Sequence, residues 1–227
     1  MVKIDLILAR HGETSANAQS LMQGSLVNLP LNELGRRQAS ALAEGMKDRN
    51  VDWIVTSVLD RAVETARHVA QYHPSVPFTC DERLNEISWG EADGKDMKTV
   101  DPIVKPVTQG WVAGDFDARI PGGESANDCK ERILAAFASI LNEARKNKHK
   151  DVLVCIHGRI MRVIMAALVD KDLSTMERFT HANCCYHHIR VEIDDDEQIM
   201  PDPWSLEFEV VRIDVRDHLM SLQKPRF

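Results

Sequence analysis

The chain has 227 residues, 44% of them hydrophobic and 28% charged, which is ordinary for a globular protein with a well-developed core. A formal net charge of −7 argues against broad binding to nucleic acid or to an acidic membrane surface, since either needs a basic face. No run of about 20 apolar residues suggests a membrane span, VKIDLILARHG turns polar too early for a signal peptide, and the five cysteines include no Cys-x-x-Cys pair; a reduced, cytoplasmic protein is expected.

Lys3–Ala9 is an apolar run rich in Ile and Leu, too short for a helix and expected as a buried strand. It ends abruptly in Arg10-His11-Gly12. Pro30 and Asn32 prepare a helix over Glu33–Asp48, and Val51–Ser57 reads as a second strand. Leu59–Tyr72 has helical spacing with Asp60 as the expected N-cap, and the prolines of HPSVPF end it. From Asp96 to Gly123 prolines and glycines blur the pattern, so a loop with one short helix is expected there. Ser125 then opens a long helix to Lys146, whose Ile133, Phe137, Ile140, Leu141 and Ala144 share one face. Asp151–Gly158 is another buried strand, followed by an apolar helix through Leu168. Cys184–Ile193 and Ser205–Val215 read as late strands, joined by a turn whose acidic run Asp194–Glu197 is a solvated loop tip. Strands alternating with helices imply a three-layer α/β fold, a mostly parallel central sheet with helices on both faces. With no solenoid repeat and no low-complexity linker, residues 1–227 read as one domain.

LILARHG and LVCIHG repeat one design, an apolar strand that delivers His-Gly at its C-terminal end. Ligands of open α/β sheets bind beyond the carboxyl ends of the strands, so two such histidines can meet at one site. Phosphoryl transfer needs a nucleophile, positive groups around the equatorial oxygens and an acid for the leaving oxygen. His11 can attack through one ring nitrogen if neutral, Gly12 allows close backbone approach, and the planar fork of Arg10 suits phosphate. His157 can donate to the same group, and a helix starting near Gly158 adds backbone N–H donors.

LARHGETSANAQSLMQG, TSVLDRAVETA, RLNEISWGEADGK, PGGES and VCIHG stand in an order and spacing that resembles the histidine phosphatase superfamily, which includes cofactor-dependent phosphoglycerate mutases and broad-specificity phosphatases. The resemblance spans Leu6 to Leu168 and implies that His11 accepts the phosphoryl group. It further implies that Arg10, Asn17, Arg61 and His157, with Gly158, form the phosphate pocket, and that Glu86 is the proton donor. Gln23 and Gly24 fall where a substrate-lining loop begins. Taken alone, Arg61 would be a solvated first-turn residue and Glu86 a solvated loop acid among Asp81, Glu82 and Glu91. Arg159 departs from the pattern, which has a small or amide residue there; it either reaches a distal anion on the substrate or points to solvent. The group His181, Cys184, Cys185, His187 and His188 looks like metal ligands, but alternation along a strand sends Cys184 and His188 to one face and Cys185 and His187 to the other. Packing is the expected role, with no metal and no cofactor.

Only 38 positions separate Glu86 from Glu124. The family's mutases carry a longer insertion with paired arginines there and a tyrosine three positions after the acid, where this chain has Trp89. The expected activity is therefore metal-independent hydrolysis of a small phosphomonoester through a phosphohistidine on His11. A phosphoglycerate mutase is the alternative, and a catalytically silent phospholigand-binding protein is the alternative of another class. A homodimer stays open.

Overall fold

The structure, a computed structural model, describes residues 1–194 and 202–222. In chain order its elements are β1 (Val2–Arg10), α1 (Ser15–Ala18), α2 (Glu33–Met46), β2 (Trp53–Thr56), α3 (Asp60–Ala70) and β3 (Phe78–Cys80). There follow α4 (Met97–Val112), α5 (Ala126–Asn147), β4 (Asp151–Ile156), α6 (Gly158–Met165), β5 (Tyr186–Ile193) and β6 (Phe208–Val215). The six strands form one sheet in the order β3-β2-β4-β1-β5-β6. The first four in that order run parallel, and β5 and β6 continue the sheet antiparallel.

Alternation along the central strands explains the two covered faces. Ile4, Leu6 and Leu8 of β1 join a core with α4, α5 and α6, whereas Ile7 and Ala9 join a second core with α2 and α3. The five residues expected on one face of α5 are all buried. Ser125 caps that helix by accepting from Asp128 N, and Asp128 returns a bond to Ser125 N.

Several elements differ from the sequence reading. Asp60 is the first residue of α3 and not its cap; its N–H is instead taken by Asn28 Oδ1 at 2.9 Å, a cap supplied by a distant loop. The apolar helix after β4 is regular only to Met165 and widens into a π turn over Ala166–Asp170. The largest difference is α4, 16 residues in the segment expected to be mostly loop. Asp96 caps it through Lys98 N and Thr99 N, and Val100, Val104, Val107 and Trp111 form its inward stripe. Pro102 and Pro106 both lie on its exposed side. A proline there leaves a carbonyl without its helical donor, a loss that costs least on the exposed side, where solvent can take the donor's place. Asp195–Glu197 of the acidic run lie outside the described residues; Asp194 is exposed.

Register decides the functional geometry. Arg10 of β1 pairs with Ile156 of β4, so the two strands end side by side and deliver His11 and His157 together. The segment beyond His11 is then clamped backbone to backbone. A Cβ on Gly12 would lie 2.5 Å from Gly35 O, and one on Gly35 would lie 2.0 Å from Glu13 O. No helix of the described residues is long and apolar enough to cross a membrane.

Candidate active site

His11 is held at both ends. Its backbone N–H donates to Ile156 O at 3.0 Å and its carbonyl accepts from Asn183 Nδ2 at 3.1 Å. Its Nδ1 lies 2.7 Å from Gly12 O. A carbonyl can only accept, so the proton sits on Nδ1 and Nε2 keeps its lone pair. Burial, followed by the charges of Arg61 and Arg10, holds the ring well below the ordinary histidine pKa and therefore neutral at pH 7.

His157 lies behind it, with ring centroids 5.2 Å apart. Arg61 Nε donates to His157 Nδ1 at 3.2 Å, so the proton of this ring is on Nε2 and goes to Ser57 Oγ at 2.7 Å. Both nitrogens are thus engaged within the protein, and burial with the same arginine keeps this imidazole neutral too. Arg61 is itself fully buried, its other donors reaching Val27 O and Gly24 O. Burial lowers its pKa to about 10, which leaves it charged at neutral pH. Arg61, His157 and Gly24 therefore back the site from behind. Gly24 is needed there because a Cβ would lie 2.2 Å from Asp93 Oδ1.

In front of His11 opens a cavity of about 450 Å³. Arg10, Asn17, Gln23, Glu86, Gly158 and Arg159 reach its walls. Glu86 sits on the N-terminus of α6. Its Oε1 accepts from Ile87 N and Ile160 N, and its Oε2 accepts from Arg159 N at 3.1 Å. Oε2 thus has only one donor and retains room for a proton. Arg132 fixes the loop that carries it by donating to the carbonyls of Arg83, Asn85 and Glu86 while paired with Glu124, and Glu124 in turn accepts from Ser88 N. The PGGES block thus does more than open the long helix at Ser125; its Glu124 also positions the acid.

Two pocket-lining residues carry buried donors without a partner, Arg10 Nε and Gln23 Nε2. Buried polar groups are rarely left so, and at the wall of an open cavity a ligand, ion or water can complete them. Asn17 Oδ1 accepts from Thr14 N and Asn183 Nδ2, which turns its Nδ2 toward neither. Gln23 Oε1 is fixed by Thr14 Oγ1 in the same manner. The opposite wall is α4, contributing Met97, Asp101, Val104, Lys105 and Thr108. Arg159 does not point to solvent; it is half-buried at the cavity wall. Its guanidinium stacks over Trp89 and Trp111 at 5.6 and 5.7 Å and pairs with Glu177.

The histidine and cysteine group does not assemble as a unit. Cys184 joins the α2–α3 core and Cys185 the opposite one, and among the described residues no three His, Cys, Asp or Glu side chains gather as a metal site. His181 instead lines the cavity. Neither Ser57 nor His181 was expected as a site residue: Ser57 stands in the TSVLDRAVETA block without an assigned role, and His181 was read only as part of an apparent metal cluster.

Residues 6–200 match the family described as the histidine phosphatase superfamily (branch 1). The chain belongs to that superfamily. It is 29% identical over 181 residues to a probable phosphoglycerate mutase of Yersinia pestis, covering 80% of this chain and 82% of that one. Among solved structures of the superfamily fold, a mycobacterial glucosyl-3-phosphoglycerate phosphatase superposes with a TM-score of 0.80 at 25% identity, covering 94% of this chain and 100% of the other. A putative alpha-ribazole-5'-P phosphatase from Escherichia coli shares the fold, with a TM-score of 0.74 at 24% identity over 94% of this chain and 97% of that one.

Proposed function

We propose that the protein hydrolyses small phosphomonoesters through a phosphohistidine on His11. The observation that carries this reading is the meeting of an uncommitted Nε2 lone pair on a neutral His11 with the orphaned donors Arg10 Nε and Gln23 Nε2 in one cavity. In the first step Nε2 attacks phosphorus; the P–N bond forms as the P–O ester bond breaks, and the leaving alkoxide takes its proton from Glu86. In the second, water attacks phosphorus and gives its proton to Glu86. The P–N bond breaks and its electron pair returns to Nε2. Arg10, Asn17 and Gln23 hold the equatorial oxygens, and the buried charge of Arg61 stabilises the transferring group from behind. These positive groups and N–H donors take the part that a divalent cation plays in other phosphotransferases.

Phosphate release from a panel of phosphomonoesters in excess EDTA, with His11→Ala beside the wild type, tests the reading. Release by the wild type alone is expected; equal release by both would end it. The relative described as a probable phosphoglycerate mutase favours a second reading, in which the same phosphohistidine returns its group to a phosphoglycerate. Interconversion of 2- and 3-phosphoglycerate faster than phosphate release would decide for it.

A further inference from the structure

We infer that His181 is a further phosphate ligand: a neutral imidazole whose Nε2–H donates to a non-bridging oxygen of the transferred group, with Arg162 and Glu177 as its positioning residues. The inference rests on the reading of the cavity as a phosphate site. His181 lies outside every motif block and was notable in the sequence only as a member of an apparent metal cluster.

Its tautomer follows from one bond. Arg162 Nε donates to His181 Nδ1 at 2.9 Å, and a guanidinium cannot accept, so the single proton of the neutral ring is on Nε2. That nitrogen has no partner among the described residues. Its position is fixed relative to Gly158, the first residue of α6: a Cβ placed there would lie 2.9 Å from His181 Nε2 and 3.2 Å from the orphaned Arg10 Nε. Two unpartnered N–H donors, one on an arginine and one on a histidine, therefore border the same point at a helix N-terminus.

The backbone of His181 serves the same end, since its carbonyl accepts from Arg10 Nη1 at 2.6 Å and so sets how Arg10 is turned. Glu177 joins both Arg159 and Arg162 and anchors the pair. Burial, then the charges of Arg10, Arg162 and Arg159, push the ring down to about 3. It remains a neutral donor throughout the range in which an enzyme works. A histidine that only packed against Gly158 would not need a fixed tautomer, nor a free nitrogen beside the orphaned Arg10 Nε in residues that line the cavity with His11.

Titration calorimetry with inorganic phosphate and with orthovanadate, together with hydrolysis of p-nitrophenyl phosphate, tests this on wild type, His181→Ala, His181→Gln and Arg162→Met. His181→Ala should weaken both anions by about tenfold, as expected for loss of one hydrogen bond to a charged oxygen. His181→Gln, which keeps an N–H donor, should recover part of the loss. Arg162→Met removes the donor that fixes the tautomer, so the ring should present Nε2–H only part of the time and bind both anions a few-fold more weakly at constant pH. Unchanged anion affinity in His181→Ala, or a His181→Gln variant that recovers none of the loss, overturns the inference and leaves the phosphatase reading intact. Anion binding without hydrolysis of any ester overturns the phosphatase reading, and the His181 variants then decide the inference by affinity alone. A wild type that binds neither anion overturns both.

Discussion

Where β1 and β4 end, His11, Asn17 and Glu86 each have their hydrogen bonds assigned before any ligand arrives. Across the cavity, α4 presents Asp101 and Lys105 one turn apart at the exposed rim, and among the described residues neither side chain has a hydrogen-bond or ion-pair partner. The first wall is built of donors and acceptors with one possible orientation; the second is built mostly of exposed side chains on a helix held by its inward stripe, its Asp96 cap and the bond from Met97 N to Ser20 O. For the proposed hydrolysis, the difference teaches that reaction and selectivity would be separable: the reacting group would be placed by rigid backbone, and the leaving alcohol would meet a surface whose side chains the first wall does not depend on.

Substitutions at the two walls should therefore differ in kind. His11→Ala should remove turnover by roughly four orders of magnitude or more while leaving the circular dichroism spectrum and Tm close to wild type, since the side chain lies at a strand end. Glu86→Gln should slow alkyl phosphates by about 100-fold or more, but p-nitrophenyl phosphate much less, because that leaving group needs little protonation. Equal losses on the two substrates would remove Glu86 from the role of acid.

A third expectation concerns the buried histidines. His11, His157, His181, His187, His188 and His218 all have pKa values lowered chiefly by burial. As the pH falls below about 6.5 the unfolded chain takes up protons that the folded one refuses. Stability present above that pH is thus lost toward acid, by up to about 1.4 kcal/mol per pH unit for each ring. Urea midpoints at pH 7.5, 6.5 and 5.5 should fall in that order, and a flat series would mean that the rings protonate in place. The smallest effect belongs to α4. Asp101→Asn and Lys105→Ala should change KM for natural esters a few-fold with kcat on p-nitrophenyl phosphate unaltered; a loss of kcat comparable with that of Glu86→Gln would erase the contrast between the walls.

The same contrast governs what could be read in advance. His11 and His157 were legible because apolar strands of similar pattern end in His-Gly, and the parallel register of β1 and β4 does bring the rings together. The motif blocks located Arg61 and Glu86, yet spacing could not say that Arg61 lies behind the cavity or that Glu86 rests on the N-terminus of α6. Those facts depend on contacts over 37 and 74 positions of sequence. α4 was hidden by its own prolines. The stripe Val100, Val104, Val107, Trp111 has helical spacing, and asking which side Pro102 and Pro106 would occupy would have revealed it. His181 left no such trace, because its role depends on a proton position set by Arg162.

The five thiols are distributed so that only Cys80, at the end of β3, is exposed. Cys155 and Cys184 are sealed in the core beneath α2 and α3, and Cys129 and Cys185 in the core on the other side of the sheet. A small alkylating reagent should therefore add one label to the native chain and five to the unfolded one, countable by mass. Intermediate species carrying three labels would reveal one layer peeling from the sheet before the other, and their peptide map would name which.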